Sequence, residues 1–488
     1  MKLTFAYKTL EAAPTAYTKV TLTQEAIGKK SAVREGGTLS LEVGAGKPEE
    51  MSRRKFVLLC RSIVRAAREQ KIKKIALQFD RTPEIFKNLQ EYTPEDISIV
   101  AAQNFEMANY EFVTFKTKPK AGWNDVEEIA LCGKSSPSIE AAAKRGQAIG
   151  VEINACRELC NTPGGDMTPS ILAKAAQMAA KNSGAGAKLT VKVLGEKEME
   201  KLGMGAVLGM GRGSSEESKF IVMEYKGESS STRSARSGQS KPIVLIGKGV
   251  TFDTGGLNVK PGDHMYEMHM DMSGGAAVIH AVALAATLKL NINVVGLIPA
   301  IENAPASGAT RPGDILKSLS GKTIEVVNTD AEGRVIMADA YTYAQKYTPA
   351  CVVDVATLTG ASLVALSTHA SAIMTPDQEF ETLLRTLGEQ SGDYVWPFPL
   401  WEEFEEMIKS DFADIPNIPT VGNSRYGGVI AGGMFLREFA KDLACPWAHI
   451  DMAPRMTSTQ GEFLAKGAAG APVRLLLALI EHYASPAR

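Results

Sequence analysis

At 488 residues, 44% of them hydrophobic and 22% charged, the chain is too long for one ordinary core, and two domains are the natural expectation. Lysine plus arginine (54) nearly balances aspartate plus glutamate (55), and a net charge of −1 argues against a dedicated nucleic-acid surface. No apolar run approaches the ~20 residues that cross a bilayer, and the N-terminus lacks the long apolar stretch of a signal peptide, so a cytoplasmic protein is expected.

Residues 1–137 alternate strand and helix signals. Residues 39–43 alternate as a strand, and 53–70 carry Phe56, Leu59, Ile63 and Ala67 at helical spacing. Residues 74–79 read as the next strand, and 97–100 and 110–115 as two more. No catalytic constellation occurs in this small N-terminal α/β domain, for which binding or assembly is expected rather than chemistry. Residues 138–159 are rich in alanine, glutamate and arginine without internal proline, and predict a long helix. Asn161-Thr162-Pro163-Gly164-Gly165 stops it, and Thr168-Pro169-Ser170 opens the next, with proline at a tolerated early position. The linking helix and junction are taken as 138–164, and the second, catalytic domain as 165–488.

In that second part, strands are predicted at 220–225, 243–246, 293–298, 323–327 and 351–356, and helices at 276–288 and 335–344. Strands alternating with helices imply a central, largely parallel mixed sheet covered by helices on both faces. The fold class is thus α/β in two domains, the smaller one N-terminal. The polar, serine-rich stretch 227–241 is read as a surface loop between two strands. The six cysteines, Cys60, Cys132, Cys156, Cys160, Cys351 and Cys445, form no CxxC pair and are read as reduced, mostly buried thiols.

The chemistry concentrates on two turns. Gly247-Lys248-Gly249 leads to Asp253, a glycine-rich loop then carries Lys260, and Asp271 precedes a long apolar helix. Asn328-Thr329-Asp330-Ala331-Glu332-Gly333-Arg334 lies between the strand at 323–327 and the helix at 335–344. Such strand-to-helix turns are where α/β proteins place ligands. A capped helix start with solvated charges would account for the heptapeptide alone. The carboxylates so close in sequence repel unless cations lie between them, and glycine-rich backbone lets the other two aspartates converge on them.

These two segments resemble those of the leucyl (cytosol) aminopeptidase family of two-metal peptidases, and the resemblance runs from about Arg157 to the C-terminus. It implies two divalent cations, with zinc or manganese foremost and magnesium or cobalt possible. One would be held by Lys248, Asp253, Asp271 and Glu332, the other by Asp253, Asp330 and Glu332, with a water bridging the pair. Lys248 binds metal only as a neutral amine, which two neighbouring dications would favour. Lys260 would stay protonated and stabilise the oxyanion, and Arg334 with Gly333 and Leu358 would hold a bicarbonate acting as general base. The first side-chain pocket would be lined by Met268, Thr357, Gly360, Ala453 and Met456, which suits leucine-like and methionine-like residues.

The same resemblance implies peptide substrates and a homohexamer. His264 and His269 are read as loop residues, His280 as a core histidine and His449 as structural. Two departures from the family touch the pocket's shape: Pro454 stands where glycine is common, and an alanine of Gly467-Ala468-Ala469-Gly470 where threonine is common. The expected activity is a metal-dependent leucyl aminopeptidase. The rival readings are a two-metal amidohydrolase acting on a small non-peptide amide, a binding protein that keeps the fold without the chemistry, and an aminopeptidase that also binds nucleic acid.

Overall fold

The computed structural model describes residues 1–35, 38–80, 87–89, 91–227, 241–420 and 426–484. The chain divides into two compact units, Met1–Asn154 with Ser458–Gly467, and Ala155–Thr457 with Ala468–Arg488. The division falls inside a single helix, Pro137–Asn161, that covers most of the expected junction. The serine-rich loop lies, over 228–240, outside the described residues.

In the first unit six strands are ordered Lys2–Thr4, Glu128–Cys132, Lys74–Gln78, Thr18–Thr23, Thr38–Gly44, Lys30–Glu35. All neighbours are parallel except the last pair. Helices Arg53–Glu69 and Pro94–Asn109 pack on one another, with Leu59, Ile63, Ile75 and Phe105 buried in the shared core.

Two expected strands are absent here. Residues 97–100 lie inside the helix Pro94–Asn109, because Thr93 and Asp96 form a reciprocal capping box and Pro94 opens the first turn. Ile97, Ala101, Phe105 and Ala108 then fall on one buried face. Residues 110–115 form no ladder: Lys116 N–H donates to the Val113 carbonyl and closes a turn, bringing the Phe112 and Phe115 rings to 6.0 Å. Residues three apart point to opposite faces of a strand, so that ring contact requires the turn.

In the second unit the main sheet has nine strands among the described residues. Its centre is four neighbouring parallel strands, Trp447–Asp451, Cys351–Ala356, Ile243–Gly247 and Val294–Asn303. Antiparallel Ser371–Met374 and Lys219–Tyr225 flank them, with Val395–Pro397 and Leu189–Leu194 at the edges. Gly249–Asp253 pairs with the far half of Val294–Asn303. Ile243, Val244, Leu245 and Ile246 are fully buried, so the strand reads as continuous rather than alternating hydrophobicity.

Helices Ser273–Thr287 and Glu332–Gln345 pack on this sheet. The stretch Gly262–Thr287 is long and apolar enough to cross a membrane by length and composition, contrary to expectation, but 94% of its apolar window is buried in the fold, as in a core helix. A small third sheet, Ile315–Lys317, Thr323–Glu325 and Ile415–Pro416, precedes the heptapeptide. Its middle strand is shorter than expected because Val327 N–H turns to the Asn417 side chain. None of the six cysteines is in a disulfide, and all but Cys445 are buried.

Candidate metal centre

The carboxyl ends of the parallel strands converge on one place. Ile243–Gly247 delivers Lys248, Gly249–Asp253 ends on Asp253, Val294–Asn303 ends on Asn303, and Cys351–Ala356 leads into Thr357. Side chains at strand ends stand on a rigid base while the following turns stay free to shape a site. Gly255 (φ +88°) makes one such turn, and its N–H donates to Asp253 Oδ1 at 2.8 Å.

Carboxylate oxygens of Asp253, Asp330 and Glu332 lie within 4.8 Å of one another. Lys248 Nζ stands 2.8 Å from both Asp271 Oδ2 and Glu332 Oε1, and donates to the Thr357 carbonyl at 3.2 Å. Lys260 Nζ stands 2.8 Å from Asp253 Oδ2 and 2.5 Å from Asp330 Oδ1. All five expected metal ligands and Lys260 are therefore in one linked cluster. Asp253, Asp271, Glu332 and Lys248 are buried, while the Asp330 side chain keeps 34% exposure.

The electrostatics follow from packing so many charges together. Burial lifts Asp271 well above the usual carboxylate range; Lys248 opposes this and Glu332 adds to it. Asp330 is pushed up to about 6 by burial and by Asp253. Burial works against the Lys248 ammonium, but Asp271, Glu332 and Asp253 outweigh it and raise its pKa. Lys260 is raised in the same way, by Asp253, Glu332 and Asp330 against its burial. The carboxylates alone thus keep Lys248 charged, and its use as a neutral ligand would require the charge of the cations themselves.

The donor set fits divalent cations. Asp271 Oδ2, Asp330 Oδ1 and Glu332 Oε1 are buried and accept no hydrogen bond, since the lysine ammonium groups lie at ion-pair distance but off the hydrogen-bond direction. Converging carboxylate oxygens whose protein contacts are these ion pairs alone are what a hard cation needs.

Arg334 sits in the first turn of Glu332–Gln345 and is buried, with its Nε unpartnered. Burial lowers its pKa to about 10, opposed by Glu332 and Asp451. A buried guanidinium N–H beside a helix start fits an anion. The Leu358 N–H is already directed to Asp451 Oδ1 at 3.1 Å, so of the three residues expected at the anion site it offers no free main-chain donor.

Of the expected pocket residues, Thr357 donates to Asp271 Oδ1 at 2.7 Å and so touches the metal centre directly. Gly360 opens the helix Gly360–Leu366 onto free space. That helix packs against the short turn Ala453–Arg455, with Met456 next in the chain. Met268 begins the short helix Met268–Met270 that leads to Asp271, and both Met268 and Met456 are half-buried. His264 and His269 lie in that loop, and His280 is buried in Ser273–Thr287. His449 is fully buried and hydrogen-bonds Asp354 through Nδ1, alongside Tyr341 and Trp447, which donate to the same carboxylate.

Several residues support the ligands in a role that the sequence reading did not give them. Asn303 Nδ2 donates to Asp253 Oδ1 and to the Thr329 carbonyl. Thr329 Oγ1 donates to the Gly255 carbonyl at 2.6 Å, tying the two ligand loops together. Asn417 accepts from Val327 and Asn328 N–H and donates to the Asn328 carbonyl. Asp451 holds Leu358 N–H and Thr359 Oγ1. Asn303 and Asp451 end buried strands and Asn417 directly follows one, and a polar residue at such a strand end is the signal that could have found them.

Comparison with known proteins agrees with this geometry. Residues 154–477 match the cytosol aminopeptidase family, catalytic domain. The chain is 45% identical over 366 residues to a "Probable cytosol aminopeptidase" of Azoarcus sp. (strain BH72), covering 73% of this chain and 69% of that protein. A protein of the same description from Syntrophotalea carbinolica is 38% identical over 470 residues, covering 92% and 89%. Among solved structures, the bottromycin maturation enzyme BotP in complex with Mn superposes with a TM-score of 0.82 at 26% identity, over 96% of this chain and 99% of that one.

Proposed function

The chain belongs to the cytosol aminopeptidase family, and from that membership we propose that it hydrolyses the first peptide bond of peptides with a free N-terminal amino group. The observation that carries this reading is the convergence of Asp253, Asp330 and Glu332 oxygens within 4.8 Å, with buried oxygens that accept no hydrogen bond. Asp253, Asp271, Asp330, Glu332 and Lys248 would hold two divalent cations, zinc or manganese by preference. Such cations supply Lewis acidity at the scissile carbonyl and acidify the attacking water.

The chain's own groups do the rest. Water adds across the C–N bond, its oxygen going to the carbonyl carbon while the amine leaves with a proton. Lys260, held protonated by its carboxylate neighbours and still partly open to solvent, donates to the oxyanion as it forms. Arg334 offers its buried N–H to an anion, and a bicarbonate held there would take the proton from the attacking water. Met268, Thr357, Gly360, Ala453 and Met456 form the side-chain pocket, and two pliable methionines favour leucine-like and methionine-like residues. A homohexamer in the cytoplasm belongs to the same reading and rests on the family resemblance.

The test is a matched pair of amides, one with a free amino group and one N-acetylated, assayed with and without added Mn or Zn. Turnover confined to the free amine and dependent on metal is expected. Equal turnover of both forms would leave a two-metal amidohydrolase as the better reading, and no turnover with metal bound would point to a binding protein.

A further inference from the structure

A cavity of about 310 Å³ opens in the first unit, lined from the carboxyl edge of its six-stranded sheet. Three mutually parallel strands feed it: Phe5 follows Lys2–Thr4, Phe79 and Asp80 follow Lys74–Gln78, and Gly133 and Lys134 follow Glu128–Cys132. Crevices outside the carboxyl ends of parallel strands are where open α/β sheets bind ligands. The proposed metal ligands are all in the other unit.

The wall is apolar. Phe79, Ile97 and Leu131 line the cavity with little solvent exposure, and Phe5 is half-buried beside them. One carboxylate is fixed among these groups. Asp80 Oδ1 accepts from Gln78 Nε2 at 2.6 Å, and Oδ2 accepts from the Lys134 main-chain N–H at 3.0 Å. Gln78 is itself oriented by the Leu10 N–H, which donates to its Oε1 at 3.0 Å. Gly133 (φ +131°) gives the carboxylate its seat, because a Cβ there would lie 2.2 Å from Asp80 Cγ. No ammonium or guanidinium among the described residues forms an ion pair with Asp80. Each of its oxygens keeps a second lone pair for a ligand. Lys134 also lines the cavity, and it is an exposed residue.

We propose that this cavity binds a free apolar α-amino acid, with its ammonium on Asp80, its carboxylate toward Lys134 and its side chain among Phe5, Phe79, Ile97 and Leu131. A volume at the lower end of the ligand-pocket range, about 300–1,000 Å³, suits one amino acid better than a peptide. The paired charges match a zwitterion. The choice of an amino acid over other small amines rests on the peptidase reading, since apolar amino acids are what that reaction releases; the site then senses product.

The test is equilibrium dialysis of radiolabelled L-leucine against the full chain with divalent cations chelated, so that the metal centre cannot hold the amino group. One saturable site per chain is expected. N-acetyl-L-leucine should compete at least about tenfold more weakly, and Asp80→Asn should weaken L-leucine by about tenfold or more, as expected for losing a charge-assisted hydrogen bond. Lys134→Glu should weaken it several-fold, and Asp80→Asn should leave metal-dependent peptide hydrolysis unchanged. A chelated chain that hydrolyses peptides after metal is restored but shows no saturable leucine binding overturns the site alone. Binding unaffected by both N-acetylation and Asp80→Asn also overturns it. Leucine binding lost in Asp80→Asn, in a chain that hydrolyses no free-amine peptide, supports the site and overturns the peptidase reading.

Discussion

Asn303 Nδ2 donates to Asp253 Oδ1 at 2.8 Å and, from the same nitrogen, to the Thr329 carbonyl at 3.0 Å. One buried carboxamide thus fixes the orientation of a proposed metal-bridging carboxylate and the position of the residue preceding Asp330. The Gly255 N–H completes the hold on Asp253 Oδ1, leaving Oδ2 turned toward Lys260. Groups that orient metal ligands commonly account for about 10–100-fold in metal affinity. Asn303→Ala should therefore weaken binding of Mn or Zn by about that factor, with excess metal restoring much of the activity. Metal titration followed by activity at saturating metal would check it; an unchanged titration curve would show that Asp253 needs no such support.

The two lysines are paired alike but placed differently. Lys248 is buried and tied to Asp271, Glu332 and the Thr357 carbonyl, whereas Lys260 lies on the loop side, between Asp253 and the more exposed Asp330. Lys248→Ala should lower metal content, and excess metal should rescue part of the activity. Lys260→Ala should keep both metals and lose on the order of 10²–10³ in kcat, the usual effect of removing one oxyanion donor. Metal analysis and steady-state kinetics on the two variants give the answer, and the reverse pattern would exchange the roles.

Asp339 lies on the same helix as Arg334 but serves the fold. Its carboxylate accepts from the N–H groups of Ala206 and Val207 at 3.1 and 3.0 Å and of Leu319 at 2.7 Å. Burial pushes its pKa up to about 7 against those three donors. A folded value above the unfolded one means that the proton is held more tightly in the native state. The stabilisation this confers is complete below about pH 4 and is lost as the pH rises to about 7, a change on the order of 4 kcal/mol. The melting temperature of Asp339→Asn, which cannot ionise, should therefore rise relative to the unsubstituted protein between pH 5 and pH 8. Asp339→Ala, leaving the buried N–H groups of Ala206 and Val207 and the half-buried one of Leu319 without an acceptor, should cost about 3 kcal/mol or more near pH 4, a cost that shrinks as the pH rises and Asp339 ionises in the unsubstituted protein. Thermal melts across that pH range check both, and a difference between Asn and Asp that does not change with pH would count against the raised pKa.

Much of the candidate metal centre was legible because its proposed ligands sit on short segments at the ends of strongly hydrophobic strands. Lys248 and Asp253 bracket one such strand, and Asp330, Glu332 and Arg334 share a single turn. The supporting residues were not legible, because Asn303 reaches Asp253 across 50 positions and Asn417 reaches Asn328 across 89. Spacing along the chain carries no trace of such contacts. The N-terminal unit was read less well for a local reason. Ile97, Ile99 and Val100 suggest a strand by residue type, yet Thr93, Pro94 and Asp96 cap a helix, and packing of that helix on Arg53–Glu69 decides the outcome. The capping residues were visible in the sequence and outweigh the β-branched run.

Gly333 ties the heptapeptide to Lys248 through space rather than through a bond. A Cβ on Gly333 would lie 2.5 Å from Lys248 Cε and 2.6 Å from its Nζ, closer than real Cβ contacts come. Gly333 is the second residue of the helix Glu332–Gln345 and is not among the glycines with positive φ, so its backbone accepts alanine without strain. An ordinary surface lysine would swing aside, but this one is held at its tip by Asp271 and Glu332 and is enclosed by the fold. Gly333→Ala should therefore push the amine off its position and reproduce the Lys248→Ala phenotype, with lower metal content and partial rescue by excess metal. The melting temperature of the metal-free protein should change little, because the helix gains a better helix former while losing one ion pair. Metal analysis and thermal melts on the purified variant decide the matter. Normal metal content in Gly333→Ala beside depleted metal in Lys248→Ala would mean that the amine has a second position from which it can serve the site.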